Sequence, residues 1–290
     1  MKLLDGKELA GFIKERQAKQ VRELRQSHVV EPKLAIVQCK DDPVINTYVR
    51  LKKQYGTDIQ VEVEVHNVAQ DKVQDVLQKL NEDISIHGII VQLPLADTDQ
   101  TEEVVNLVAS EKDVDALGNP LAAWLPGTTH SGRQGEAVRG SWFTPATPMA
   151  IMWLLAGYNI DLRGKKVLLV GRGRLVGAPL ERILKDSDID VSSADRETKK
   201  LNVLTINADV IITATGSPAI LYPDMIKQGA VVVDAGVAGE DGKTVGDLHP
   251  SVYERDDLTV TPAKGGVGPL TVCALFDNVI RAARQSAESK

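Results

Sequence analysis

Two sets of residues in this 290-residue chain have the types and spacing to do chemistry. The first works through backbone. Residues 166–170 form a short apolar run suited to a strand buried on both faces. The run stops at Gly171-Arg172-Gly173, continues through Leu175-Val176-Gly177, and passes into an amphipathic helix with Leu180, Ile183 and Leu184 inward. Pro179 fits the first turn of that helix, where its missing N–H costs nothing. Strand, glycine-rich turn and helix in that order aim free backbone N–H groups at one point, where a phosphate can sit. The spacing G-x-G-x-x-x-G is one residue longer than the usual dinucleotide fingerprint. By itself it also suits a turn whose glycines merely permit close packing.

The second set works through side chains. Tyr48 and Lys52 are four apart and share a helical face. Gln92 ends an otherwise apolar strand, where α/β folds place their ligands. Lys112-Asp113-Val114-Asp115 follows a predicted helix. Each has an ordinary reading as well: a Tyr-x-x-x-Lys pair is more often a solvated face, and Lys112 to Asp115 an ordinary charged turn.

The elements that must position these groups follow from periodicity. A helix is expected over 4–24, with Leu9, Phe12, Ile13, Val21 and Leu24 among its inward residues, then a buried strand over 33–38. Asp41-Asp42-Pro43 makes a turn into a helix carrying Tyr48, Val49, Leu51, Lys52 and Tyr55. Strands over 60–65 and 88–93 alternate with helices over 71–82 and 101–109, an α/β unit preceding the glycine-rich turn. After that turn a second strand spans 190–193, with Asp195-Arg196 at its end, about 20 residues past the glycines, where a ribose is read. A third, over 208–214, ends in Thr215-Gly216, and a fourth, over 230–233, ends in Asp234-Ala235-Gly236. Strands that each stop at a small-residue turn predict a Rossmann-type parallel sheet with a ligand crevice at its carboxyl ends. Residues 118–141, rich in Gly, Ser and Thr, read as a surface loop in which His130 is solvent-exposed rather than a ligand. Thr147-Pro148 reads as the cap and first residue of a helix. Near the end, the glycines and prolines of 261–271 predict a loop, with Thr271 capping a last helix over 272–283.

Composition narrows the class. The length suits two domains, and 43% hydrophobic residues suffice for real cores. A net charge of −6 without a long basic run argues against nucleic-acid binding. No stretch is apolar enough to span a bilayer, and the amino terminus lacks the design of a signal peptide. Cys39 and Cys273 lie far apart in apolar contexts, so buried free thiols and a cytoplasmic location are expected, with no metal site.

With these pieces assembled, the chain resembles the methylenetetrahydrofolate dehydrogenase/cyclohydrolase family nearly end to end. The resemblance is carried by Leu4-Asp5-Gly6-Lys7, Tyr48-Val49-x-x-Lys52, Gly88-Ile89-Ile90-Val91-Gln92-Leu93-Pro94-Leu95 and Lys112-Asp113-Val114-Asp115. It continues through Thr147-Pro148, Gly171-Arg172, Val176-Gly177-x-Pro179, Asp234-x-Gly236, Gly246-Asp247 and Gly265-Gly266-Val267-Gly268-Pro269-Leu270-Thr271. It implies two α/β domains around a cleft: a folate and catalytic domain over 1–140, on which a helix over 272–290 packs back, and a Rossmann-type dinucleotide domain over 141–271. It implies oxidation of 5,10-methylenetetrahydrofolate by hydride transfer to NADP, then hydrolysis of the methenyl product to 10-formyltetrahydrofolate. Lys52 would be the catalytic lysine, Gln92 its hydrogen-bonding partner and Asp115 the pterin anchor. Tyr48, Gly266 and Pro269 would line the folate site. Gly171, Arg172, Gly173, Val176, Gly177, Asp195, Arg196, Thr215 and Val237 would hold the cofactor. A homodimer through the dinucleotide domain is implied as well.

The chain departs from the family pattern at several places. Ile45 stands where a serine is usual, Ala116-Leu117 for Gly-Phe, Ala146 for Cys, Gly173 for Ser and Lys264 for Pro. Asp195-Arg196 replaces a common His-Ser. An aspartate there suits a ribose hydroxyl and an arginine suits a 2′-phosphate, so NADP is favoured and NAD stays open. A divergent paralogue retaining one activity, or a non-catalytic folate- or nucleotide-binding protein, is the competing expectation.

Overall fold

The computed structural model describes residues 1–118, 143–240 and 243–288. The expected surface loop over 118–141, with His130, lies outside the described residues apart from Gly118. Contacts divide the chain into two α/β units, one of Phe12–Ala146 with Val272–Lys290, the other of Met1–Gly11 with Thr147–Thr271.

In the first of these units, α1 (Gly6–Ser27) contributes most of its length. It is followed by β2 (Lys33–Gln38), α2 (Pro43–Ile59), β3 (Glu62–Asn67), α3 (Val73–Glu82), β4 (Gly88–Gln92) and the short α4 (Thr101–Val105), β1 being the Lys2–Leu3 strand of the other unit. The sheet is three-stranded and parallel, in the order β3-β2-β4. β2 is central, and Leu34, Ala35, Ile36 and Val37 are all fully buried, as a strand covered on both faces requires. Helix α2 starts where Asp42 caps it, its Oδ1 accepting from the Val44 N–H at 2.8 Å and the Ile45 N–H at 3.2 Å. Phe12, expected inward, is 66% exposed. The inward stripe of α1 runs instead through Gln17, Val21 and Leu24, all at 0% exposure. Gln17 is admitted to that stripe because its amide is satisfied: Nε2 donates to the Cys273 carbonyl at 2.8 Å and Oε1 accepts from the Tyr55 hydroxyl at 2.7 Å.

The other unit holds α5 (Ala146–Gly157) from its second residue, β5 (Val167–Val170), α6 (Gly177–Asp186), β6 (Val191–Ala194), α7 (Leu201–Thr205), β7 (Val210–Thr213) and β8 (Val231–Asp234). A hairpin of β9 (Ala238–Glu240) and β10 (Lys243–Val245) precedes β11 (Thr259–Val260). The sheet is six-stranded and wholly parallel, ordered β1-β11-β8-β7-β5-β6. The hairpin, β11 and β1 were not expected, since two- and three-residue strands carry no period to read. Thr147 lies inside α5 rather than capping it. The last helix, α8 (Val267–Glu288), begins four residues before Thr271, whose hydroxyl donates back to the Val267 carbonyl at 3.4 Å. The expected loop is thus partly the first turn of a helix, where Pro269 is tolerated because no intrahelical partner awaits its nitrogen. Both cysteines are free thiols; Cys273 is buried and Cys39 only half-buried. No described helix is long and apolar enough to cross a membrane.

Candidate active site

The side-chain set converges in the three-stranded unit. Helix α2 carries Tyr48 and Lys52, β4 ends at Gln92, and Asp115 follows a segment hydrogen-bonded to that strand, the Ile89 N–H donating to the Lys112 carbonyl at 2.7 Å. Lys52 Nζ donates to Gln92 Oε1 at 2.8 Å. The Gln92 amide donates to its neighbour's carbonyl, that of Leu93, at 3.0 Å, which fixes the oxygen toward the lysine. Burial pushes the Lys52 ammonium below a lysine's ordinary value, with the charge of Asp115 working against the shift. Burial also pushes the Asp115 carboxyl up, with Lys52 pulling it back. The result is an amine, an amide and a carboxyl group, all half-buried, with no ion pair drawn tight between the lysine and the aspartate. Tyr48 is half-buried, and burial raises its hydroxyl pKa.

Lys112 to Asp115 is more than a charged turn, because each charge has a separate task. Lys112 Nζ donates to the carbonyls of Leu80, Asn81 and Asp83 at 3.0, 2.7 and 2.8 Å, closing the carboxyl end of α3. Asp113, 5% exposed, accepts from the Gly118 N–H at 2.9 Å and the Leu117 N–H at 3.3 Å. Burial pushes its carboxyl up to about 6. Ala116, just past Asp115, has φ of +55°, a left-handed conformation that a glycine adopts without strain and an alanine does not. Asn278 of α8 donates to the Val114 carbonyl at 2.8 Å and to that of Thr144 at 2.9 Å, bracing the same segment. Sequence reading missed Asp113 and Asn278 as supports; only the quoted Lys112–Asp115 motif pointed toward the first.

The backbone set converges in the six-stranded unit. Gly171 has φ of +105°, and a Cβ there would lie 2.5 Å from the Ala214 carbonyl oxygen. A Cβ at Gly177 would lie 1.9 Å from the Gly171 carbonyl oxygen. The turn therefore packs directly on the start of α6 and on the end of β7, and only glycine fits at either point. No side chain caps α6 at Val176; the Ala178 N–H donates to the Gly173 carbonyl at 3.1 Å and Pro179 has no N–H, so Gly177 is the first-turn residue whose N–H an anion could take. A Cβ at Gly173 would meet nothing within 4 Å. Arg172 Nε donates to Glu181 Oε2 at 3.2 Å, and Lys185 Nζ donates to Glu181 Oε1 at 2.6 Å. Burial pushes the Glu181 carboxyl up, but its two cationic partners outweigh that and hold it below its ordinary value.

Past β6, one oxygen of Asp195 is held by its own turn: Oδ1 accepts from the Glu197 N–H at 3.0 Å and the Thr198 hydroxyl at 3.1 Å. Arg196 is exposed and enters no ion pair among the described residues. Gly216 and Val237 approach closely, a Cβ at Gly216 lying 3.1 Å from the Val237 carbonyl oxygen, so Thr215 and Val237 come together at the ends of β7 and β8. Gly266 and Pro269 belong to this unit, whereas Tyr48, Lys52, Gln92 and Asp115 belong to the other. No group of three or more His, Cys, Asp or Glu residues that could hold a metal ion occurs among the described residues.

Comparison with known proteins bears on both units. Residues 4–115 match the model of the tetrahydrofolate dehydrogenase/cyclohydrolase catalytic domain, and residues 145–287 match the NAD(P)-binding domain of the same family. The bifunctional protein FolD of Campylobacter jejuni is 35% identical over 98% of this chain and 99% of its own. The crystal structure of FolD from that organism superposes with a TM-score of 0.85 at 34% identity, covering 98% of this chain and 99% of the other. The methylenetetrahydrofolate dehydrogenase-cyclohydrolase of Trypanosoma brucei, solved with NADP and an inhibitor, gives 0.84 at 28% identity, covering 98% and 97%.

Proposed function

We propose, from the premise that the chain belongs to the tetrahydrofolate dehydrogenase/cyclohydrolase family, how its two units divide the work. The protein is an NADP-dependent methylenetetrahydrofolate dehydrogenase and methenyltetrahydrofolate cyclohydrolase of one-carbon metabolism. The observation that carries the assignment of roles is the 2.8 Å hydrogen bond from Lys52 to Gln92, made by an amine whose burial depresses its pKa against the opposing charge of Asp115.

Hydride transfer asks for alignment more than for acid–base groups. Bound over the glycine turn, the nicotinamide supplies the hydride acceptor. Gly171, Gly173, Val176 and Gly177 would hold its phosphates through backbone, with Thr215 and Val237 contributing beside them. Arg196, exposed and in no ion pair among the described residues, would read the 2′-phosphate, with Arg172 tethered to Glu181 through its Nε. Within the three-stranded unit Tyr48 lines the folate site, and Asp115 accepts hydrogen bonds from the pterin's amino and ring N–H groups as a planar, two-oxygen match.

Hydrolysis requires a water made nucleophilic at the cationic methenyl carbon. Lys52 can accept a proton from that water only while its amine is neutral, and burial keeps that fraction available. Gln92 orients the amine without bringing a charge; a carboxylate in its place would raise the amine's pKa and keep it protonated. Substrate binding works in the same direction, because a cationic substrate adjoins the amine and the pterin engages the Asp115 charge that opposes the shift.

The protein is further proposed to act in the cytoplasm as a homodimer. The test of the whole reading is to mix the protein with methylenetetrahydrofolate and either NADP or NAD, follow cofactor reduction, then follow decay of the methenyl absorbance. Faster reduction with NADP and accelerated decay support it. A folded protein that binds folate and reduces neither cofactor would leave only a binding protein. Light scattering of the same sample reads the dimer.

A further inference from the structure

At the carboxyl ends of β7 and β8, two carboxylates are engaged mainly by backbone N–H groups, with the Thr213 hydroxyl also donating to Asp234 Oδ1 at 3.2 Å. Asp247, at 0% exposure, accepts from the Thr215 N–H through Oδ2 at 2.8 Å and from the Ser217 N–H through Oδ1 at 3.1 Å. Its carbonyl accepts from the Ile220 N–H at 2.9 Å. Asp234 holds Asp247 in turn: Oδ1 accepts from the Asp247 N–H at 3.1 Å and the Gly236 N–H at 2.9 Å, and Oδ2 accepts from the Leu248 N–H at 3.1 Å. The crossing leaves no room for a side chain. A Cβ at Gly236 would lie 2.0 Å from Asp247 Oδ1, and one at Gly246 would lie 2.1 Å from Asp234 Oδ2.

The loop held this way faces the glycine turn. The Thr215 methyl lies 3.1 Å from where a Cβ on Gly171 would stand, and Ala214 stands closer still. A fully buried carboxylate beside a second one is expensive, and burial with the Asp234 charge raises the pKa of Asp247 accordingly. An ionised carboxylate is nevertheless the one short side chain whose two oxygens can both accept, which a loop offering N–H groups at Thr215 and Ser217 demands.

We propose that Asp247 is a positioning residue for the dinucleotide: it sets the Thr215-Gly216-Ser217 loop against the Gly171 turn, and so governs cofactor affinity without touching the cofactor. The inference rests on the glycine turn being the NADP site. Asp247→Asn turns an NH2 group toward one of the two loop donors. The NADP dissociation constant, measured by quenching of protein fluorescence, and the KM for NADP should each rise about tenfold. The KM for methylenetetrahydrofolate should hold, and so should the rate of methenyl hydrolysis measured without nicotinamide.

Asp209→Asn is the structural control. Asp209 accepts from the Lys166 N–H at 2.9 Å, just before the start of β5, and should lower the melting temperature without changing NADP affinity. Equal loss of melting temperature in both variants with unchanged NADP binding in both would reduce Asp247 to a structural role and overturn the proposal. A wild type that binds no NADP at all would instead overturn the premise. Should Asp247→Asn fail to fold, amide exchange in the wild type decides: Thr215 and Ser217 must be strongly protected without cofactor, and rapid exchange at both refutes the clamp.

Discussion

The two units handle buried charge in opposite ways. Around Lys52, charged groups are held out of water without being neutralised by close pairing, and their pKa values move as a result. Around Gly171, the carboxylates are consumed by N–H donors and by Arg172 and Lys185, and the ligand-facing chemistry is left to backbone. Chemistry that moves a proton needs a group whose protonation is unsettled. Chemistry that only aligns a cofactor needs a rigid frame, and a satisfied carboxylate is a good frame-builder.

The contrast can be broken most severely at Lys52. Lys52→Ala should slow methenyl hydrolysis about 10³-fold while hydride transfer loses much less, read from the two absorbance assays in parallel. Comparable loss in both would mean that the lysine aligns substrate rather than moving a proton. On the backbone side, Gly177→Ala places a methyl against the Gly171 carbonyl and should cost about 3 kcal/mol in urea denaturation, with NADP binding weakened and hydrolysis spared in whatever fraction stays folded.

Asp113 sharpens the comparison through pH. Its folded carboxyl is raised to about 6, so the folded state holds that proton more tightly than the unfolded chain does. The stabilisation is therefore fully present below the unfolded aspartate value and is lost as pH rises through 6, about 2–3 kcal/mol in all. Wild type should lose stability relative to Asp113→Asn between pH 4 and about 6.5, and parallel curves for the two proteins would contradict the shift. The smallest effect is at Ala116. Relief of its left-handed strain by Ala116→Gly should stabilise the protein by about 1 kcal/mol, visible as a rise of a few degrees in the melting temperature. No change would mean that the turn relaxes around the methyl.

Most long elements were legible, because buried strands such as β2 and β5 and the period of α2 and α6 write themselves into local sequence. Short strands were not: β1, β11 and the β9–β10 hairpin are stabilised by pairing partners far along the chain, and nothing local marks them. The start of α8 was missed for a related reason, since glycine and proline signal a loop unless proline happens to occupy a first turn. Phe12 was misassigned because Gln17 holds a core position only by virtue of bonds to Tyr55 and Cys273.

Sequence alone determined the residue types available: a lysine, a glutamine and an aspartate at spacings resembling a known family, and glycines where strand meets helix. Only tertiary structure decided their state. Whether Lys52 meets Gln92 and whether burial outweighs the pull of Asp115 depend on solvent exclusion and distance between residues remote in sequence. Desolvation and hydrogen-bond geometry are properties of the folded surroundings, and no local pattern encodes them.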